Sequence, residues 1–187
     1  MAANENLPMP APFGTGQRGH RVAIMAEVER KIGAGVIEVT VELPTTADAR
    51  WCIDEYFKEI AQRFEFGFDP VKSNPASDED MSPPNGFFIV ARLDGYPVGC
   101  AVLKRKSETT AEIKRMWTAS YARGRGVALK VLRTLEDIAR EIGVSILQLE
   151  TNKALKEAQA LYRKAGFREV PPFNGEVYAH HWFEKHL

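Results

Sequence analysis

The sequence predicts an α/β (α+β) fold, with helices on both faces of one mixed, mostly antiparallel sheet of about seven strands. Three observations indicate this fold. Apolar runs of strand length, separated by turn residues, dominate the first half of the chain. Two amphipathic helical patterns follow, each closed by a glycine, and short apolar strands lie between and after them. The chain of 187 residues, of which 44% are hydrophobic, is long enough for one such core.

An N-terminal arm, residues 1–34, precedes the predicted domain. Residues 1–19 are rich in proline and glycine and contain no long apolar run, so we expect disorder there and no secretory signal. Residues 20–33 carry apolar side chains at helical spacing, which indicates a short helix. We therefore expect the folded domain to cover residues 35–187.

The first strand and the first helix of the domain follow directly. Polar and apolar residues alternate between residues 36 and 43, which predicts a strand with one buried face. The predicted buried face consists of Ile37, Val39, Val41 and Leu43. Pro44 ends the strand, and Thr45 or Thr46 can cap the next helix. The broad apolar stripe of that helix is made of Trp51, Ile53, Tyr56, Phe57 and Ile60.

The middle of the chain predicts a meander of strands. Aromatic residues alternate over residues 64–68, where a short strand and a loop packed on the core both stay open. The proline-rich and serine-rich residues 69–85 predict a loop with room for one short helix. Asp94-Gly95 predicts a tight hairpin turn, because both central positions of that turn require a positive φ. The strands of the meander are predicted at residues 87–93, 96–105 and 111–118.

The second half of the chain alternates helices and strands. A long amphipathic helix begins at Val127 and ends at Gly143. Residues 145–150 form a short apolar strand, which we expect to lie parallel to the fourth strand and to be buried on both faces. Residues 155–165 predict another helix. The last strands are predicted at residues 167–170 and 177–183.

The composition limits the classes of partner. Twenty-five basic residues offset twenty-five acidic ones, so no global field favours nucleic acid or an anionic membrane. No apolar run approaches the roughly 18 residues that a membrane span needs. Cys52 and Cys100 lie in apolar stretches and predict buried free thiols in a reducing, cytoplasmic compartment. We expect no metal, because ligand spacing is lacking around His20, His180, His181 and His186.

The segment that carries chemistry joins the fourth strand to the long helix and consists of Arg123-Gly124-Arg125-Gly126-Val127-Ala128. Its two glycines permit a tight turn and leave backbone amides uncovered. The helix start adds about half a positive charge, and the two arginines add full charges. Together these groups predict a pocket for a phosphate or pyrophosphate. A glycine loop before an exposed basic helix start is the alternative, whereas a P-loop is excluded because no Gly-Lys-Ser/Thr follows.

This segment resembles the Arg/Gln-x-x-Gly-x-Gly/Ala signature of the GNAT superfamily of N-acetyltransferases. The agreement continues downstream, at the family's spacing, in Leu149-Glu150-Thr151-Asn152, Ala158, Leu161-Tyr162 and Gly166-Phe167. Residues 173–185 resemble the tail of small-molecule members of the family. The resemblance covers residues 35–187 and implies the GNAT fold, in which the fourth and fifth strands splay apart.

The resemblance implies acetyl-CoA as cosubstrate, with its pantetheine arm in the gap between those two strands. The backbone of Met116 and Thr118, on either side of Trp117, would bond the acetyl carbonyl and the pantetheine amides. The amides of the glycine segment would hold the pyrophosphate. Asn152 would contact the pantetheine, and an N-cap of the next helix is the equal alternative for its side chain.

The resemblance also implies the groups that move protons. Tyr162 matches the family's usual general acid, which protonates the departing thiolate, and a tyrosine packed on the sheet is the alternative. Glu112 lies on the fourth strand, where some members carry their general base, and a surface glutamate paired with a lysine is the alternative. Its parity predicts a face shared with Lys114, Met116 and Thr118. Glu150 is a second candidate for the base.

The implied reaction is a direct transfer to the primary amine of a small molecule within one ternary complex. In this family the first helices and the last strands form the acceptor pocket, although simple core packing stays open for each aromatic residue. The predicted pocket residues are Tyr56, Phe64, Tyr178 and His180. A protein lysine or N-terminal acetyltransferase and an inactive CoA-binding sensor stay open as other functions, and a homodimer stays open as the assembly.

Overall fold

A mixed sheet forms the centre of the computed structural model, which describes residues 35–73 and 76–187. Its strands are β1 (Ile37–Glu42), β2 (Gly86–Leu93), β3 (Tyr96–Arg105), β4 (Thr110–Thr118), β5 (Ile146–Thr151), β6 (Arg168–Val170) and β7 (His181–His186). The strand order is β1-β2-β3-β4-β5-β7-β6, and neighbours are antiparallel except for β4 and β5. The predicted α/β fold is therefore confirmed. The predicted arm and short helix of residues 1–34 lie outside the described residues.

The helices follow the predicted order along the described chain. They are α1 (Ala47–Arg63), α2 (Val127–Glu141) and α3 (Lys156–Lys164). Helix α1 begins after Thr46, whose Oγ1 accepts a hydrogen bond from the Ala49 amide at 3.2 Å. Glycines with positive φ follow α2 and α3, namely Gly143 at 80° and Gly166 at 91°.

Helices α1 and α2 cover opposite faces of the sheet, as two consecutive residues of β3 show. Cys100 pairs with Trp117 of β4, and the Trp117 ring packs edge-on against Trp51 of α1 with the centroids 5.6 Å apart. A Cβ on Gly99 would lie 3.4 Å from Val127 Cγ1 of α2. Successive strand residues point to opposite faces, so the apolar core lies in two layers, one on each side of the sheet.

The structure corrects the predicted buried face of β1 and decides between strand and loop for residues 64–68. Val41 and Leu43, predicted to be buried, are 49% and 58% exposed. The alternation fails because Glu42 turns inward, where its Oε1 lies 2.6 Å from Nη1 of Arg92, and Arg92 also pairs with Asp48 of α1. Residues 64–68 form a loop and not a strand, with Phe66 94% exposed.

The hairpin between β2 and β3 forms at the predicted turn. Asp94 has a φ of 51° and Gly95 a φ of 81°, as that turn type requires. Beside it, the Asp94 carboxylate accepts a hydrogen bond from the Val36 amide at 3.2 Å. The turn therefore also fixes the start of β1.

Strands β4 and β5 touch only near one end. Their parallel register joins Thr110 with Ile146, Ala111 with Leu147 and Glu112 with Gln148. Beyond Glu112 the two strands diverge, although β4 continues to Thr118 and β5 to Thr151. The splay that the resemblance implied is therefore present, and it leaves one edge of each strand free to bind something else.

A bulge in β4 changes which of its side chains share a face. The register with β3 slips between Lys114 and Trp117, and Arg115 in this bulge has a positive φ of 52°. Glu112, Lys114 and Trp117 pair with alternate residues of β3 and therefore share one face. Thr118 pairs with Gly99 and points to the other face. Glu112 and Lys114 share a face as predicted, but the predicted common face of Glu112 and Thr118 is wrong, because sequence parity cannot reveal an inserted residue.

Strands β5 and β7 also differ from their predictions. Burial alternates along β5, with Leu147, Leu149 and Thr151 buried, so the predicted burial on both faces is wrong. Strand β7 begins at His181 and not at residue 177. Residues 176–180 form a loop, which is held where Asn152 Nδ2 donates to the Tyr178 carbonyl at 2.7 Å.

Candidate active site

A cavity of about 130 Å³ opens at the point where β4 and β5 separate. Residues 113–116 of β4 and residues 150–152 on the β5 side line it. Side chains from α1, from α3 and from the loops on either side complete the lining. Of the predicted site residues, it brings together Tyr56, Phe64, Met116, Asn152, Tyr162 and Tyr178.

Tyr162 reaches this cavity from α3. Its side chain is 5% exposed, and its ring packs near Phe167 and Phe183 at centroid distances of 6.0 and 5.9 Å. The hydroxyl points at Met116 of β4, with Oη 3.7 Å from Sδ. Burial raises the pKa of Tyr162 above its ordinary value. The cavity therefore contains a neutral hydroxyl that can donate a proton.

A buried cluster of charges lies beside that hydroxyl. Lys114 Nζ is 2.8 Å from Oε1 of Glu150 and 3.3 Å from Oε1 of Glu112. Asn174 Nδ2 donates to both carboxylates, at 3.0 Å to Glu112 and 3.4 Å to Glu150. Glu150 lines the cavity, whereas Glu112 is 1% exposed and lies behind Lys114 and Glu150, outside the lining. The structure therefore brings Glu150 to the site in place of Glu112.

The two carboxylates of this cluster titrate differently. Burial and the adjacent Glu112 raise the pKa of Glu150 to about 7, although the charge of Lys114 opposes the rise. Burial alone would raise the pKa of Glu112, but its contacts with Glu150, Lys114 and Lys106 hold it below its usual range. Lys114 has a raised pKa because the two carboxylates outweigh its burial. The cluster thus places at the cavity wall a carboxyl group, that of Glu150, whose pKa lies near neutral pH.

The start of α2 has the open backbone that the sequence predicted. Gly124 and Gly126 have φ of 76° and 87°, and a Cβ on either would meet nothing within 4 Å. Gly126 is the N-cap of α2 and no side chain caps it. The first amides of a helix have no partner within it, so they can bind an anion. Val127 is buried beneath this turn and Ala128 is half-buried, so the turn is anchored from below.

Arg123 fixes this turn to α1. Its Nη2 lies 2.5 and 2.6 Å from the two carboxylate oxygens of Glu59, and its Nε donates to the Thr118 carbonyl at 3.1 Å. Glu59 also accepts a hydrogen bond from the Trp117 indole at 2.9 Å. Arg123 and Trp117 therefore brace the loop, whereas Arg125 is exposed at its surface.

Of the two alternatives predicted for Asn152, the structure contradicts the helix cap. Helix α3 has Leu155 as its N-cap, so the capping alternative is wrong. Oδ1 of Asn152 instead accepts from the Ala154 amide at 2.9 Å, while its Nδ2 holds the Tyr178 carbonyl. The side chain lines the cavity and joins the end of β5 to the loop over it.

Aromatic rings from α1 and from two loops wall part of the cavity. Phe68 stacks on Phe57 of α1 with centroids 5.6 Å apart, and Tyr178 lies 4.8 Å from Phe68 and 5.8 Å from Phe64. The Tyr178 hydroxyl accepts from the Asp69 amide at 2.8 Å, which ties the two loops together. His180, predicted for this wall, is exposed and lies outside the lining that the described residues form.

Sequence reasoning missed two charged residues of the cavity. Arg115 enters the lining from the β4 bulge, and Glu176 from the loop before β7. The strand pattern did not distinguish Arg115 from a surface residue, because the bulge that turns it is a feature of pairing. No cluster of three or more His, Cys, Asp or Glu that could hold a metal occurs in residues 35–73 and 76–187. Within the same ranges, no helix has the length and apolarity to cross a membrane.

A solved structure shows the class of fold. A GNAT family acetyltransferase from Elizabethkingia anophelis, crystallised with acetyl-CoA bound, superposes with a TM-score of 0.52 and 16% identity. The match covers 81% of this chain and 98% of that chain. The chain therefore shares the fold of that neighbour, which was crystallised with acetyl-CoA bound.

The sequence comparisons give the family. Residues 53–167 match the model of the acetyltransferase (GNAT) family. The IAA acetyltransferase of Azospirillum brasilense is 39% identical over 106 residues, which are 56% of this chain and 69% of that protein. The N-acetylaspartate synthetase of Danio rerio is 35% identical over 91 residues, 48% of this chain and 32% of that protein. The chain belongs to the acetyltransferase (GNAT) family and is an N-acetyltransferase.

Proposed function

We propose that the chain transfers the acetyl group of acetyl-CoA to a primary amine of a small molecule, by direct attack in a ternary complex. One observation carries the proposal. The gap between β4 and β5 opens onto a cavity that holds both a buried neutral tyrosine hydroxyl and a carboxyl group with a pKa near 7. Such a pair can take a proton from an attacking amine and give one to a leaving thiolate.

The backbone around the gap suits the cosubstrate. The uncapped amides from Gly124 to Ala128, above which the space is open, would hold the pyrophosphate of acetyl-CoA. The free edge of β4 at residues 116–118 would bond the pantetheine amides and the acetyl carbonyl. This placement brings the thioester to the end of the gap where Tyr162 approaches Met116.

The reaction then needs three proton transfers, two from the nitrogen and one to the sulfur. An amine like that of lysine, with a pKa of about 10.4, is charged at pH 7, and freeing its lone pair costs about 4–5 kcal/mol. Glu150 takes that proton first, and the neutral nitrogen then attacks the thioester carbon, so that the C–N bond forms. As the C–S bond breaks, Tyr162 protonates the departing sulfur, and the second proton lost by the nitrogen returns to the Tyr162 oxygen. Glu112 acts behind Glu150 by setting its charge and position, not by touching the amine.

The aromatic wall favours a small acceptor over a protein surface. Rings from α1 and from two loops enclose the cavity on the acceptor side, and the hydrogen bond between Asp69 and Tyr178 joins those loops. A lysine on a folded protein needs an open, shallow groove. The names of two relatives, an IAA acetyltransferase and an N-acetylaspartate synthetase, also point to small acceptors.

A thiol-release assay tests the proposal. Purified protein with acetyl-CoA is offered small amines, amino acids, N-terminal peptides and lysine peptides. We expect thiol release with small amines or amino acids, and acetylated product of matching mass. Release only with peptides would favour a protein acetyltransferase. Calorimetric binding of acetyl-CoA without turnover of any acceptor would favour a CoA-binding sensor.

A further inference from the structure

Arg115 is a charged residue of the cavity lining that has no role in the proposed proton transfers. It lies in the β4 bulge with a φ of 52°, in the left-handed region that residues with a side chain rarely adopt. Strained backbone of this kind persists where the surrounding structure holds it, and it is frequent at binding sites. Here the bulge brings the Arg115 side chain into the lining beside Lys114 and Met116.

Neutral groups hold the guanidinium of Arg115 in place. Its Nη2 donates to the Ala76 carbonyl at 2.8 Å, and its Nη1 lies 3.0 Å from Met81 Sδ. Its Cζ lies 5.3 Å from the centre of the Phe57 ring. These contacts orient the group, but none brings a full negative charge to it. Burial lowers the pKa of Arg115, which is the sign of a cation that water solvates poorly.

Other arginines of the protein form ion pairs with carboxylates of the chain. Arg63, Arg92 and Arg123 each pair with a carboxylate of another part of the chain. Arg115 has no carboxylate within ion-pair distance among residues 35–73 and 76–187, and Asp78, whose charge acts on it from farther away, pairs with Arg50. A guanidinium offers two parallel N–H donors that match a carboxylate, so a half-buried one without such a partner is suited to bind an anionic ligand.

The cavity also contains negative groups away from Arg115. Glu150 lies across the gap on β5, and Glu176 lies in the loop before β7. The Glu176 carboxylate accepts from Ser73 Oγ at 2.9 Å and from the Tyr178 amide at 3.1 Å, so it is fixed in position. One small cavity thus presents a cation from β4 and carboxylates from β5 and the loop, a pattern complementary to a zwitterion.

We propose that the acceptor is an amino acid, or a similarly small amine that carries a carboxylate, and that Arg115 binds this carboxylate while the amine lies toward Glu150. The inference rests on acetyl transfer at the same cavity and adds the substrate class. The aromatic wall of Phe57, Phe64 and Phe68 borders the space left for the rest of the acceptor.

Matched acceptors test the inference without any mutation. Each amino acid is compared with its own carboxamide and with its decarboxylated amine, at the same acetyl-CoA concentration. The amine is present in all three, and only the carboxylate changes. We expect kcat/KM for the amino acid to exceed that for the carboxamide about 100-fold, since losing one partner of a buried charge pair has an effect of that order. Equal kcat/KM values for all three would overturn the inference while leaving the proposed acetyl transfer intact.

Variants then locate the carboxylate site. We expect Arg115→Gln to lower kcat/KM for the amino acid about 100-fold and to abolish the preference over the carboxamide, with Arg115→Lys in between. Arg140→Gln is the matched control, because Arg140 lies on α2 in a surface pair with Asp137. It should keep the preference. An Arg115→Gln protein that keeps the wild-type preference, with an unchanged melting temperature, would contradict the assignment.

Binding separates this inference from the proposed function. The protein saturated with acetyl-CoA is titrated with amino acids and carboxamides by calorimetry. Binding of amino acids alone, weakened in Arg115→Gln, without thiol release, would support the carboxylate site and count against the proposed transfer. Thiol release from carboxamides as fast as from amino acids would support the proposed transfer and count against the carboxylate site.

Discussion

Tyr162 owes its proposed role to its surroundings. The ring is buried against Phe167 and Phe183, and only its hydroxyl end meets the cavity beside Met116. The raised pKa keeps the hydroxyl protonated across the neutral range. Its contact with a methionine sulfur is weak, so the hydroxyl can turn toward a leaving thiolate without losing a strong partner.

Replacing Tyr162 with phenylalanine should therefore slow the reaction and little else. We expect kcat to fall about 100-fold or more, the usual contribution of a positioned general acid. The ring packing stays, so the melting temperature and the calorimetric Kd for acetyl-CoA should remain near the wild-type values. A kcat within twofold of the wild type would remove the assigned role.

Glu150 should control the pH dependence of the reaction. Its pKa is raised to about 7, so the carboxylate that accepts the proton from the amine is lost as pH falls below that value. We expect kcat/KM to rise with pH through this range and then level off. In Glu150→Gln the rise should disappear and kcat/KM should drop about 100-fold. Stopped-flow or steady-state thiol release from pH 5.5 to 9 gives the profile.

Glu112 provides a control with a predicted direction. Its negative charge and its contact help to raise the pKa of Glu150. In Glu112→Gln that repulsion is gone, so the pKa of Glu150 should fall and the rising limb should move to lower pH. The plateau at high pH should survive, because Glu112 lies outside the cavity. If Glu112→Gln abolished the limb and Glu150→Gln did not, Glu112 would be the base.

At the scale of elements, helix α2 has two ends that carry the same kind of glycine. Gly126 before it and Gly143 after it have φ of 87° and 80°, and a Cβ on either meets nothing within 4 Å. Alanine at either position should therefore cost about 1–2 kcal/mol of stability through backbone strain alone. The two variants differ only in the end of the helix that they change.

Acetyl-CoA binding should distinguish these two variants. We expect Gly126→Ala to raise the Kd for acetyl-CoA about tenfold, because the new methyl group and the strained turn disturb the amides proposed to hold the pyrophosphate. Gly143→Ala should lose similar stability in thermal or urea unfolding and keep its Kd. Equal Kd values for both variants would mean that the pyrophosphate is bound elsewhere.

The same elements show what local sequence could predict. The turn at Asp94-Gly95 and the glycines around α2 were predictable, because positions with a positive φ strongly favour glycine, asparagine and aspartate. The bulge at Arg115 and the true start of β7 were not. Both depend on pairing with distant strands, and a single inserted residue reverses the face of everything after it.

The site was predictable to the same extent. Tyr162 and the glycine segment lie in motifs that local spacing fixes, and the structure places Tyr162 in the cavity and the glycines at the start of α2, outside the lining that the described residues form. The choice between Glu112 and Glu150 depended on depth in the fold, which is a property of packing. Arg115 and Glu176 enter from a bulge and an irregular loop, where sequence periodicity carries no information.

At the scale of the whole molecule, the sheet divides into two parts at the candidate active site. Strands β1 to β4 form one part and β5, β7 and β6 the other, joined by the short parallel contact that ends at Glu112. The glycine turn lies at the start of α2, outside the lining that the described residues form at this gap, and the aromatic rings are part of that lining. We expect acetyl-CoA to approach from the glycine turn and the acceptor from the aromatic wall, so that they meet at Tyr162.

This geometry predicts a ternary complex without a covalent intermediate. Both cysteines of the chain, Cys52 and Cys100, are 0% exposed, so neither thiol can receive the acetyl group. Lys114 at the cavity stays protonated between Glu150 and Glu112, and a protonated amine is not a nucleophile. We expect double-reciprocal plots for acetyl-CoA and acceptor to intersect, and the intact mass to remain unchanged after incubation with acetyl-CoA alone. Parallel plots together with an acetylated peptide from the cavity would show instead that the acetyl group passes through the protein before it reaches the amine.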